Sequence, residues 1–233
     1  MPLHIGIVAC SAEGAALCYR TICSEGPALL GTHRHPEVSM HTHSLGEYMD
    51  FIHRDNWRGV ADLMLSSAEK LTIIGADFLI CPDNTLHRSF TLVADRSALP
   101  WLHIAEEVAA EAKRRRFTRV GITGTRYTME GPVYPEVLAR HEIDHRVPTP
   151  GDRARINQII FDELVNGSFR PESVEVFRAV IQGMKSEGCD AVVLGCTEIP
   201  LIITPENSPL PVLDSTRLLA RAALRRAITS EDS

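Results

Sequence analysis

Short apolar runs recur along the chain, and longer segments with helical periodicity separate them. Leu3 to Ala9 is apolar and ends in small residues, and Glu13 to Ile22 follows with helical character, so the chain opens as strand, loop and helix. A second run, Phe78 to Cys81, stops at Pro82 and gives way to the polar segment Asp83, Asn84, Thr85. Arg119 to Ile122 and Ala191 to Leu194 repeat the arrangement, each after a helix-like segment and before a loop of small or polar residues. Runs that are apolar throughout predict strands covered on both faces. Strands alternating with helices predict an α/β protein whose parallel sheets are flanked by helices.

The chain also echoes itself. Gly75-Ala-Asp77-Phe-Leu-Ile-Cys-Pro-Asp83-Asn-Thr85 aligns without a gap on Gly188-Cys-Asp190-Ala-Val-Val-Leu-Gly-Cys196-Thr-Glu198, at a constant spacing of 113 residues that pairs Asp83 with Cys196. A second echo links Ile5-Gly6-Ile7 to Val120-Gly121-Ile122 at nearly the same spacing. Two echoes in the same order predict a duplicated α/β unit, although buried parallel strands resemble one another in any protein. The expected division places residues 1–101 and 211–233 in a first domain and 102–210 in a second, with a last helix, Ser215 to Ala227, returning to the first.

Composition narrows the partners. The formal net charge of -6 argues against nucleic acid, whose binders carry a basic face. The one basic run, Lys113 to Arg116, reads as a helix C-terminus complementing the helix dipole. No stretch approaches the roughly twenty apolar residues of a membrane span, and the N-terminus lacks the pattern of a secretory signal, so a cytoplasmic protein is expected. Six cysteines are scattered without zinc-ribbon spacing or disulfide-scaffold density and are expected to be reduced. Cys10, Cys18, Cys23, Cys81 and Cys189 read as small buried apolar side chains, and only Cys196 has a chemical context.

In open parallel sheets, ligands sit beyond the carboxyl ends of the strands. Asp83 and Cys196 both lie at such ends. Two acid/base groups on opposite faces of one α-carbon can invert it, one removing a proton while the other supplies one. Asn84, Thr85 and Thr197, with nearby backbone N–H groups, are candidates to hold a substrate carboxylate and the charge of an enolate-like intermediate. Glu198 is placed to accept or orient the thiol proton. Each of these residues has a structural alternative as a helix or loop cap.

The segments Gly195-Cys196-Thr197-Glu198-Ile199-Pro200, Asn84-Thr85 with His87 shortly after, and Gly124-Thr125-Arg126-Tyr127-Thr128-Met129 resemble the signatures of the aspartate/glutamate racemase family. The resemblance covers nearly the whole chain. It implies two pseudo-symmetric Rossmann-like domains enclosing a cleft, a homodimer, an acidic amino acid or dicarboxylate as substrate, and catalysis by two cysteines without pyridoxal phosphate or metal. Carried over, it implies Cys196 as a base and Asn84, Thr85 and Thr197 as carboxylate binders. Thr125 is a lesser candidate at the mouth of the cleft, and Ser11 occupies the polar position of the first strand-helix loop.

The chain departs from this pattern at Asp83, which stands where the first catalytic cysteine is expected. Exchanging a thiolate for a carboxylate weakens the base by about 4.6 pKa units, roughly 6 kcal/mol, unless the site desolvates the carboxylate. The first loop, Val8 to Gly14, lacks the glycine pair and tryptophan common in close relatives. Arg54, Arg126 and Arg155 are the candidate cations for a distal carboxylate, each with a surface role as its alternative. His33, His35, His41, His43 and His53 cluster in the first half without a recognisable ligand spacing, so no metal is expected, and His43 is expected to line the substrate pocket. The competing functions are a lyase that decarboxylates through Cys196 alone and a dicarboxylate-binding protein without catalysis.

Overall fold

The computed structural model describes residues 1–229, which form two compact units: residues 1–104 with the C-terminal segment from Thr216, and Ala105 to Ser215. Up to the first crossing, the elements are β1 (Ile5–Ala9), α1 (Ala12–Glu25), α2 (Pro27–Leu30), β2 (Val38–Thr42), α3 (Leu45–His53), α4 (Trp57–Ile73), β3 (Phe78–Ile80), a 3₁₀ turn (Thr85–Ser89), α5 (Phe90–Ala94), β4 (Trp101–Leu102) and α6 (Ile104–Arg114). There follow β5 (Arg119–Gly124), α7 (Arg126–Met129), α8 (Val133–Arg140), β6 (Asp144–Arg146), α9 (Pro150–Asp162), a 3₁₀ turn (Leu164–Asn166), α10 (Pro171–Ser186), β7 (Ala191–Gly195), a 3₁₀ turn (Ile199–Leu201), β8 (Val212–Asp214) and α11 (Ser215–Ile228).

Each unit is built on a four-stranded parallel sheet flanked by helices. The order is β2-β1-β3-β4 in the first and β6-β5-β7-β8 in the second, so the same topology occurs twice. The inner strands β1, β3 and β7 are buried at every residue, which is why their sequences are apolar without alternation.

The repeated Gly-x-Asp has a local cause. Gly75 follows α4 at φ +90° and Gly188 follows α10 at φ +88°, the left-handed conformation that ends a helix and that glycine adopts without strain. Two residues later, the Asp77 carboxylate accepts the His4 backbone N–H at 2.6 Å. The Asp190 carboxylate accepts the Thr118 backbone N–H at 2.7 Å and the Arg119 N–H at 3.3 Å. In both units the aspartate therefore ties the start of one inner strand to the start of its neighbour. The glycine of each opening strand answers to packing. A Cβ on Gly6 would lie 2.5 Å from Leu79 Cδ2, and one on Gly121 would lie 2.6 Å from Met184 Sδ.

The chain leaves the second unit after Ser215 rather than 210, because β8 pairs with β7 through Val192↔Val212, Val193↔Leu213 and Leu194↔Asp214. It enters that unit after Ile104 rather than 101, since β4 pairs with β3 and Ile104 is buried in the first core. That core joins Ile5, Ile7, Phe78 and Ile80 to Leu219, Ala220, Ala223 and Leu224 of α11. The second packs Val192 and Leu194 against Ile156, Ile160, Phe177 and Ile181.

Phe177 is fully buried in the second core. Phe177→Ala should cost about 3–5 kcal/mol through lost transfer energy and the residual cavity. Amide hydrogen exchange should then show protection falling at β5 and β7, while β1 and β3 amides exchange as before.

Candidate active site

In the first unit, the loop after β3 carries the aspartate. Its Oδ1 accepts the backbone N–H of Thr85 at 3.1 Å and of Leu86 at 3.3 Å, so Asp83 opens the following 3₁₀ turn as an N-cap does. Asn84 is buried, and its carbonyl accepts the His87 backbone N–H at 3.3 Å. Thr85 is half-buried. Ser11 is half-buried at the end of β1 and caps α1, with Oγ accepting the Gly14 N–H at 3.2 Å. His43 directly follows β2, its Nε2 lying 3.2 Å from Ser66 Oγ of α4.

Two residues outside the expected set hold this loop. His87 is buried, and its Nε2 lies 2.9 Å from the Cys81 carbonyl. A carbonyl only accepts, so the proton is on Nε2. The ring stacks on Phe90 at 5.5 Å and meets His103 edge-on at 4.5 Å. Burial pulls its pKa down to about 4, with the Cys81 carbonyl opposing the shift. Cys81 is also buried, and burial followed by the Asp83 charge keeps its thiol protonated well above the ordinary range. His87 stood in the sequence beside Asn84-Thr85; its role needs the turn that carries it back to residue 81.

In the second unit, β7 ends at Gly195 and Cys196 follows, half-buried. The Cys196 thiol donates to Glu198 Oε2 at 2.9 Å, and the Thr197 hydroxyl donates to the same oxygen at 2.8 Å. Thr197 and Glu198 are both buried, and the two donors satisfy a carboxylate oxygen that is shut away from water. The arrangement lets Glu198 take the thiol proton and leave a thiolate, the form in which cysteine acts as a base or nucleophile. Gly195 is required for close approach, because a Cβ there would lie 2.6 Å from the Thr123 carbonyl oxygen of β5. Thr125 is the buried N-cap residue of α7, its hydroxyl 3.4 Å from that of Thr128.

The three candidate arginines have other surroundings. Arg126 lies against the Tyr127 ring and donates to its hydroxyl at 2.8 Å. Arg54 is an exposed residue at the C-terminus of α3, and Arg155 borders two grooves of the second unit formed with α9 and α10 residues. The histidines do not converge. His33, His35 and His53 are exposed, while His41 and His43 sit 5.0 Å apart against Ser67 and Ser66 of α4. Among the described residues no group of three or more His, Cys, Asp or Glu side chains is placed to hold a metal ion, and no helix is long and apolar enough to cross a membrane.

Residues 7–223 match the family model described as Asp/Glu/Hydantoin racemase. The broad specificity amino-acid racemase RacX of Bacillus subtilis is 25% identical over 166 residues, which cover 69% of this chain and 69% of that protein. Among solved structures, a putative Asp/Glu racemase from Yersinia pestis superposes with a TM-score of 0.89 at 28% identity, covering 97% of this chain and 100% of that one. An aspartate racemase homologue from Pyrococcus horikoshii gives a TM-score of 0.85 at 26% identity, covering 98% and 100%.

The buried imidazole makes the first unit acid-sensitive. His87 stays neutral in the fold down to about pH 4, whereas an unfolded histidine protonates near 6.5. Its contribution is therefore complete above 6.5 and is lost as pH falls toward 4. Urea unfolding should show this residue weakening the protein by about 2 kcal/mol between pH 7 and 4.5. His87→Gln should remove that component of the fall.

Proposed function

Since this chain belongs to the Asp/Glu/hydantoin racemase family, we propose that it is a cofactor-independent amino-acid racemase or epimerase acting on aspartate, glutamate or a related acidic amino acid. Proton transfer at the α-carbon is divided between Cys196 and the Asp83 position. The observation that carries the reading is the Cys196–Glu198 pair: a half-buried thiol donating at 2.9 Å to a carboxylate that can receive its proton. The thiolate removes the α-proton from one face of the carbon, and the electron pair passes into the substrate carboxylate as an enolate-like ion. A proton delivered to the other face completes the inversion.

Thr197, Asn84 and Thr85 are assigned to the substrate carboxylate, with Ser11, His43 and Thr125 as further pocket residues. The reaction interconverts enantiomers of equal free energy, so kcat/KM must be equal in the two directions however unequal the two bases are.

A lyase is the second reading, favoured by one observation. Asp83 spends Oδ1 on the Thr85 and Leu86 amides, whereas Cys196 with Glu198 forms a complete donor and acceptor without it. Carbon dioxide release from substituted malonates would mark that chemistry.

Proton NMR of L- and D-aspartate and L- and D-glutamate in deuterium oxide tests the racemase. Loss of the α-hydrogen signal together with optical inversion is expected. Cys196→Ala should lower inversion at least about 100-fold, and Asp83→Cys should raise it by restoring a stronger base. Absence of α-exchange from every acidic amino acid by the unmodified protein would end the proposal.

A further inference from the structure

A carboxylate at position 83 leaves the first unit short of a strong base, and the strand ladder brings a thiol to that place. The β1–β2 pairing runs through Val8↔His41 and ends at Ala9↔Thr42, so Cys10 and His43 are the first residues beyond the two strands. The β1–β3 pairing ends at Ile7↔Ile80, and the two chains leave it with Cys10 and Asp83 each three residues further on. Ile5, Ile7, Ala9, Phe78 and Ile80 turn toward the core completed by α11. By alternation Cys10 and Cys81, each the first residue past its strand, share the opposite face, where His41 and His43 meet serines of α4.

A buried phenol marks the same spot independently. Tyr48 is fully buried, and its hydroxyl makes no hydrogen bond of proper geometry, although Ser67 is near enough to favour the ionised form slightly. After burial itself, the groups whose charge raises its pKa are Cys81, Cys10 and Asp83. Of these two thiols, Cys81 is enclosed and held protonated. Cys10 lies past the last residue of β1, at the carboxyl edge of the sheet and 6% exposed.

We propose that Cys10, flanked by His43 and Asp83, is the group of the first unit that exchanges the α-proton. This rests on the racemase reading and refines it by making Asp83 a positioning residue. The thiol proton passes to His43 Nδ1 of a ring whose Nε2 lies 3.2 Å from Ser66 Oγ, leaving a thiolate and an imidazolium. In the abstraction direction the Cα–H bond breaks, its electron pair enters the substrate carboxylate, and an S–H bond forms at Cys10. In the other direction that S–H bond breaks and the proton returns to carbon.

Two measurements on the full chain test this. The first follows α-hydrogen exchange and inversion of both enantiomers of aspartate and glutamate in deuterium oxide, comparing the unmodified protein with Cys10→Ala and Cys10→Ser. Inversion should fall at least about 100-fold in both variants, while Cys196 still exchanges the α-hydrogen of one enantiomer. Inversion by Cys10→Ala within about twofold of the unmodified protein overturns the proposal.

The second maps iodoacetamide labelling by mass spectrometry, and it decides whether Cys10 is the activated thiol of the first unit even if the variants fail to fold or the unmodified protein turns over none of these amino acids. That last result would by itself sink the racemase reading. Cys10 should label at least about tenfold faster than Cys18 and Cys81, and His43→Gln should slow it about tenfold by removing the proton acceptor. A Cys10 rate equal to that of Cys81, or one unmoved by His43→Gln, also overturns it.

Discussion

Parallel strands are locked in height by their ladders, and one residue of slip would turn every side chain to the wrong face. That lock is what the chemistry of each unit depends on. In the first unit it is reinforced at the strand starts, where the Asp77 carboxylate takes the His4 amide. In the second, the Asp190 carboxylate takes the amides of Thr118 and Arg119. Both ties lie at the ends of the strands remote from residues 83 and 196. They decide at one edge of each sheet which side chains become rung neighbours at the other.

Sequence alone makes visible whatever is local. Cys196, Thr197 and Glu198 are consecutive, and their shared oxygen could be anticipated from spacing. The Gly-x-Asp echo was equally visible, and its meaning was not, because the amides that the aspartates bind lie 73 and 72 residues earlier. His87 was in plain sight beside Asn84-Thr85, yet its partner is a backbone carbonyl, which no residue type announces. Cys10 reads as a small apolar residue, since His43 and Asp83 are 33 and 73 positions away in sequence and only the strand order brings their segments to adjacent strand ends. The domain limits shifted for the related reason that the two-residue strand β4 and the three-residue strand β8 are too short for periodicity to reveal.

The repeated scaffold carries unequal chemistry. At the end of β7, thiol and carboxylate are two residues apart on one loop, and the hydroxyl between them shares the same oxygen. At the end of β3, a carboxylate stands where the other unit has sulfur, and backbone amides clamp it. A thiol lies one strand away, and an imidazole lies one strand beyond that. Both units thus present sulfur and carboxylate at a carboxyl edge, assembled along the chain in one case and across the ladder in the other. The second form is the more sensitive to register, since a shift of either neighbouring strand would separate its members.

The helix that completes the first core has a bearing on biosynthesis. Leu219, Ala220, Ala223, Leu224 and Ala227 cover Ile5, Ile7 and Phe78, and the Leu3 amide is bonded to the Ala227 carbonyl. A ribosome makes those covering residues only after the whole of 105–215 has been translated. The continuous unit therefore has its full set of residues first, while the earlier strands share their core only with α1 and Ile104 until the last helix is made. A chain truncated before residue 216 would lack the residues that close that core, so translation of the last helix is the step that completes it.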